Sequence, residues 1–300
     1  MFEGVSPELV LQYSIVGIAN SLVYILMGLG VTFVSSIMRI INWAMGAFFM
    51  LGSYCQFFLV NHVLGPDLWY VAVVISVAVV FLIGALIQPV FLKQMHSKEV
   101  TRKEEYGTLV TIALGVVITG VAAIANGPDV RYIKTDFSVV HIGPVPMMGA
   151  QFVASVSLIV ILAALYWFIN YTWYGLALRA ASQSRIGVQS AGLRIERVDQ
   201  LAFGFGCALA AVAGALLAAV YLVYPQNGSV PTTKGFEIVI LGGLGSIPGV
   251  VVAGALIGQI EALGSALISA AYQNVYGALL VLLIIIFRPT GLFGHKARIA

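Results

Sequence analysis

The feature that most constrains this chain is a set of seven or eight apolar runs, each long enough to cross a bilayer as one helix. The run VAVVISVAVVFLIGALI, 71–87, carries no charge at all. Hydrocarbon leaves a crossing backbone two ways to satisfy its polar groups, the helix and the closed barrel. Barrel strands alternate in polarity over short segments, and these runs do not. Charged residues make up 9% of the 300, against roughly 25% in soluble domains. The expected fold is an all-α polytopic membrane protein with about eight transmembrane segments, one transmembrane domain over 1–300. The 32 glycines then read as small residues that let helices approach closely.

Spans are expected at 9–34, 40–63, 67–91, 108–126, 149–170, 200–224 and 270–288. The polar connections between them sort by charge. Segment 93–107 carries four basic and three acidic residues, and 171–198 carries four basic and one acidic. Arg39 lies in the first connection, and the tail holds Arg288, Lys296 and Arg298. Twelve of the 15 basic residues thus fall on one side, leaving Arg131, Lys134 and Lys234 on the other. Basic loops stay cytoplasmic, so the N-terminus is expected outside and the C-terminus inside. The N-terminal MFEGVSPELVLQYS lacks a basic stretch, so no cleavable signal peptide is expected. The extracytoplasmic loop 127–148 alternates in polarity and contains paired prolines, which suggests a short hairpin or extended loop over the outer mouth. Segment 225–235 belongs to the same side.

This topology makes 236–268 unusual, because it must enter the membrane and return. Its 33 residues give about 50 Å of helix, whereas two full crossings need about 60 Å. Gly242, Gly243, Gly245, Pro248 and Gly249 interrupt it. A Gly/Pro-broken or re-entrant pair of short helices is expected, its freed backbone lining a cavity at membrane depth. GGLGSIPG is no phosphate loop: no Lys follows it, and Pro248 occupies the sixth position of a would-be GxGxxG. NWAMGAFFMLGSYCQFFL with the span ending QPVF is echoed by SIPGVVVAGALIGQIEALG with the span ending RPTGLF. The echo points to a parallel internal repeat, with shared Gly- and Ala-rich composition as the alternative.

Few residues carry chemistry. Glu261, with Gln259 nearby, is the acid expected inside the hydrocarbon, where a charge costs at least ~2.5 kcal/mol. It faces the interior or a partner, or else it lies near the outer end and is hydrated. Asn20, Asn42 and Gln56 are polar residues suited to interhelical hydrogen bonds. Asn42, the glycine-bearing span after it (Gly46, Gly52), the broken element (Gly242, Gly243, Gly245, Ser246), Gln259 and Glu261 form the candidate translocation path. His62, His96, His141 and His295 show no metal-ligand spacing, and no catalytic set is suggested. Cys55 and Cys207 lie inside apolar runs and read as buried small hydrophobes. Trp43, Trp69, Trp167 and Trp173 fall near span ends, as interfacial anchors do.

The 27 residues Tyr174–Gln200 hold Arg179, Arg185, Arg194 and Arg197. Ser184 can cap a short helix through Ile186, Val188 and Ala191, and Gly192 can end it in the left-handed conformation. Such a helix lies on the membrane face, either resting on phospholipid headgroups or docking a cytoplasmic partner. No nucleotide motif is present, so energy must come from a partner or an ion gradient.

ALRAASQSRIGVQSAGLRIERV resembles the cytoplasmic coupling loop of bacterial ABC importer permeases of the branched-chain amino acid (LivH-type) family, a group that includes urea and amide importer permeases. RIINWAMGAFFMLGSY (39–54) and EIVILGGLGSIPGVVVAGALIGQIEALG (237–264) resemble the same family, in its order and at similar spacing. Two departures stand out: Trp43 and Met45 flank Ala44 in the first motif, and Ser190-Ala191 precede Gly192 where a longer side chain is usual. The resemblance implies a non-catalytic permease subunit in a bacterial cytoplasmic (inner) membrane, paired with a second, homologous permease. Two ABC ATPase subunits, carrying ATP and Mg, and a periplasmic solute-binding protein would complete it, with no cofactor on this chain. It also implies import of branched-chain or other amino acids, urea or short amides. Arg179, Ser184, Arg185, Ile186, Ala191, Gly192 and Arg194 would then couple the ATPases to the membrane. A stand-alone channel or secondary carrier for a small neutral solute is the alternative.

Overall fold

A computed structural model describes residues 7–96, 100–127, 129–135, 137–142 and 145–294. Lys98, Lys296, Arg298 and His295 lie outside the described residues. The described chain forms eleven α-helices, a few short 3-10 and π turns and one small hairpin: α1 (Pro7–Met38), α2 (Met45–Phe58), α3 (Trp69–Ile87), α4 (Lys103–Asn126), β1 (Val140–Ile142), β2 (Val145–Met147), α5 (Gly149–Tyr171), α6 (Trp173–Gln183), α7 (Arg185–Ser190), α8 (Ile195–Leu217), α9 (Ser229–Gly242), α10 (Ile247–Leu267) and α11 (Gln273–Phe287). Among the described residues, eight helical stretches are long and apolar enough to cross a membrane. The fold is therefore all-α and polytopic, with a two-stranded antiparallel hairpin in the 127–148 connection.

The helices form a buried centre and an exposed rim. α1 and α8 are the central pair, and α2 and α3 pack on α8 while α10 packs on α1. Small residues make this possible: α8 contains the run CALAAVAGA, which brings its backbone against α2 and α3. α4, α5 and α11 leave most of their apolar side chains exposed, as a lipid-facing rim would. One end of the bundle gathers Arg39, Lys93, Lys103, Arg185 and Arg194 and is its basic end. The 127–148 connection, which holds the hairpin, and the α8–α9 connection occupy the far end, and an antiparallel bridge between Arg131, ahead of the hairpin, and Val223 joins them.

Two interruptions of the helices differ from the sequence expectation. The 242–249 break lies at the basic end of the bundle. Leu241 and Gly242 accept hydrogen bonds from the N–H groups of Leu292 and Phe293, beyond the end of α11, and Gly245 lies beside Ser36 near the end of α1. The break is thus a turn at the basic end, with Gly243 (φ 96°) and Gly245 (φ 86°) supplying left-handed backbone. Its flanks are not two short helices starting at 236. α9 begins at Ser229 and runs 14 residues, about 21 Å, whereas α10 has 21 residues, about 31 Å, and spans alone.

The interruption at depth lies elsewhere. α1 ends at Met38, Arg39 takes a left-handed turn (φ 58°), and 40–44 climbs back into the bundle as non-helical chain. α2 starts only at Met45, whose side chain lies against Gly30 of α1. Gly30 is eight residues, about 12 Å, from the end of α1. α9 starts at the same depth, since Gly228 packs directly on Gly46. A Cβ on Gly46 would sit 2.8 Å from the Gly228 carbonyl oxygen, so neither position has room for a side chain. Two helices therefore begin back to back inside the bundle, α2 running to the far end and α9 to the basic end.

Candidate functional site

Beside that junction lies a cavity of about 500 Å³, within the usual range for small-molecule sites. Its walls come from α1 (Asn20, Val23, Tyr24), α2 (Phe49, Ser53), the α8–α9 connection (Tyr221, Tyr224, Asn227), the first turn of α9 (Val230, Pro231) and the start of α11 (Gln273, Asn274). Its lining is mostly apolar with several polar side chains among it, and the Asn227 Oδ1 is buried without a hydrogen-bond partner.

Tyr24 joins the cavity to a buried ion cluster. Its hydroxyl donates to Glu261 Oε2 at 3.1 Å. Glu261 Oε1 lies 2.6 Å from Lys234 Nζ, which also meets Glu237 Oε2 at 2.9 Å and donates to the Asn274 carbonyl. Lys234 and Glu261 are each 1% exposed. A buried lysine survives as an ammonium only when paired and hydrogen-bonded, and here two carboxylates and a carbonyl supply that. The cluster pins α9 to α1, α10 and α11. Lys234 is thus no outer-loop charge, and of the two placements open for Glu261 the interior, paired one is observed.

The other path candidates have structural surroundings. Asn42 is buried: its Oδ1 accepts from Ala44 N–H at 3.0 Å, capping the climb into α2. Gly46 makes the junction with Gly228, and Gly52 packs on the Ala211 backbone of α8. Gly242 lies against Gly249, Gly243 against the chain after α11, and Gly245 near Ser36. Ser246 caps α10 by accepting from Gly249 N–H, and Gln259 donates to the Ser14 carbonyl of α1. None of these nine residues lines the cavity; Glu261 reaches it through Tyr24. Gln56 bonds the Trp69 carbonyl and Ser76. Trp69 itself is 2% exposed, a core residue rather than an interfacial anchor, whereas Trp167 and Trp173 are exposed.

At the basic end, 171–198 folds into α6, α7 and the first turn of α8. The Ser184 hydroxyl accepts from Gly187 N–H at 3.0 Å, and Gly192 (φ 82°) follows the last turn of α7. Ile186 is 77% exposed while Val188 is buried, so α7 turns one apolar side chain outward and one inward. Arg185 ties it down: Nη2 meets Asp199 of α8 at 2.6 Å, and Nη1 donates to the Ile37 carbonyl at the end of α1 at 2.7 Å. Arg179 bonds Asn170 at the end of α5. Arg194 precedes α8 and stays exposed, as does Ala191.

The residues that sequence reasoning missed are Tyr24, Asp199, Asn227, Lys234 and Asn274. Lys234 and Glu237 stand three apart in FE-containing PTTKGFEIVI, the spacing of a helical ion pair; that spacing was the available signal.

A bundle of membrane-long helices around a cavity of mixed polar and apolar lining, with a short capped helix fastened to its basic end, defines a multi-pass membrane transport protein. The profile of the family described as "Branched-chain amino acid transport system / permease component" matches residues 14–287. The chain belongs to that family. It is 29% identical to the high-affinity branched-chain amino acid transport system permease protein LivH of Escherichia coli (strain K12), over 95% of this chain and 96% of that one. It is 27% identical to the corresponding permease BraD of Pseudomonas aeruginosa over the same shares. A probable branched-chain amino acid permease, LivH of Methanocaldococcus jannaschii, is 26% identical over 98% of this chain. No solved structure matches it significantly.

Proposed function

We propose that this chain is the membrane-spanning permease subunit of an ATP-driven importer for branched-chain amino acids, and that solute passes by the cavity beside α1, α2 and α9. A polar head group suits Asn20, Tyr24, Tyr221, Asn227 and Asn274, and a branched apolar tail suits Val23, Phe49 and Val230. The buried cluster at Glu261 and Lys234 holds the wall behind Tyr24. Glu261, the junction glycines and the α9–α10 turn belong to the moving wall rather than the lining.

The single observation that carries the reading is Arg185. One side chain binds the short helix α7 both to α8 and to the end of α1, the two central helices whose residues frame the cavity. A cytoplasmic ATPase pressing on exposed Ile186 would therefore move α1 and α8 together, while Arg179 carries the push to α5. This implies that the basic end faces the cytoplasm of a bacterial inner membrane. It also implies two ATPase subunits holding ATP and Mg, a second homologous permease and an extracytoplasmic binding protein that delivers the solute.

Co-expression with candidate ATPase subunits tests this. A stable complex is expected from the wild-type chain and not from Ile186→Glu or Gly192→Trp. A complex that survives both substitutions, or solute flux in liposomes holding this chain alone, would favour an autonomous carrier.

A further inference from the structure

We infer that the basic end carries a binding site for the headgroup phosphate of an anionic phospholipid, between the end of α3 and the start of α8. There Lys93, Arg194 and Arg197 converge on a cavity of about 480 Å³, with Glu196 the one acid in its wall. Among the described residues none of the three cations is ion-paired. At its floor lies Gln88, 1% exposed, whose Nε2 is buried without an acceptor. An amide donor shut away from water without a partner costs free energy that a phosphate oxygen would recover.

The local chain explains why the site exists. Pro89 has no N–H, so the Ala85 carbonyl one turn back loses its helical donor, and the helix widens to π geometry over Gln88–Leu92. Gln200 of α8 donates to that carbonyl at 2.9 Å. This fastens α8 to the widened turn and holds the cleft open beside Gln88.

Membrane lipid fits the cleft better than an acidic protein segment. The membrane-long stretch built on α3 nears its end here, at Lys93, where a headgroup would lie. The exposed stripe Leu82, Leu86 and Val90 runs along α3 into the widened turn and offers acyl chains a bed. Basic pockets between helices at a cytoplasmic membrane face are suited to anionic headgroups.

The test is native mass spectrometry of the purified full-length chain in detergent, titrated with phosphatidylglycerol or with phosphatidylcholine of the same acyl chains. The wild type should retain phosphatidylglycerol at least about tenfold more tightly. Lys93→Gln with Arg197→Gln should weaken it about thirtyfold, and Gln88→Leu, which fills the same buried space without the donor, about tenfold. Phosphatidylcholine binding should not change. Equal retention of the two lipids, or phosphatidylglycerol binding indifferent to both variants, would overturn the assignment. Displacement by inorganic phosphate at matching concentration would overturn it in favour of a soluble anion. Variants that keep the lipid but lose a co-expressed protein partner would mark the cluster as a protein-docking surface and equally overturn it.

Discussion

Two ion pairs with a fully buried acid hold this molecule at two depths. Lys234–Glu261 lies inside the bundle and pins the short helix α9 beside the cavity. Arg185–Asp199 lies at the basic end and pins the short helix α7 to the central pair. Both fasten a short element, 14 residues in α9 and 6 in α7, since isolated helices shorter than about 12–15 residues are marginal. They differ in their access to water. The lysine side chain is 2% exposed, and the arginine side chain 24%. Breaking the inner pair strands charge on both sides, whereas in the outer pair only the acid is shut in and the arginine can reach water. The wall of the cavity is thus built on the rigid kind of link and the lever on the yielding kind.

The largest expected effect comes from stranding the inner charges. Lys234→Met should destabilise the detergent-purified protein by about 3–5 kcal/mol, seen as a lowered melting transition. Adding Glu261→Leu should restore more than half of the loss. A double variant as unstable as the single would place the strain elsewhere. At the outer pair, Arg185→Ala should cost about 1.5–3 kcal/mol, the worth of its charged hydrogen bonds. Arg185→Lys should recover only part, because a lysine cannot serve Asp199 and the Ile37 carbonyl in one planar fork.

Smaller changes sharpen the contrast. Ser184→Ala removes the cap of α7 and should cost about 1 kcal/mol, read as faster amide exchange confined to 184–192. Exchange spreading into α9 would show that the two regions are not separable. Tyr24→Phe deletes the hydroxyl between cavity and cluster and should cost about 0.5–1.5 kcal/mol. Its larger consequence is expected in solute affinity, measured in the reconstituted importer.

The sequence spoke clearly where one local rule decides. The capped helix at Ser184 and its left-handed stop at Gly192 need only neighbours in the chain, and both are found. Membrane-long apolar runs gave the helices in the same way. It misled where the partner is distant. Lys234 reads as a loop residue until α10 brings Glu261 to it, and Asp199 carries no signal until Arg185 reaches it. The Gly242–Gly249 run looked like the break at depth because it holds the strongest helix breakers. The real interruption, 40–44, contains no Gly or Pro and is held by Asn42 and by Thr111 of α4, which accepts from Trp43 N–H. Of the cavity residues, Asn227 falls in a connection and Asn274 in the first turn of α11, where polar side chains carry no signal of their own.

The central claim is that Arg185 transmits ATPase motion to α1 and α8 and so to the cavity. Solute transported per ATP hydrolysed, measured in liposomes with the assembled importer, tests it most directly. For Arg185→Ala the expected result is ATP hydrolysis close to wild type with transport reduced at least about tenfold, equivalent to losing ~1.4 kcal/mol of coupling. An unchanged ratio of solute to ATP would contradict it.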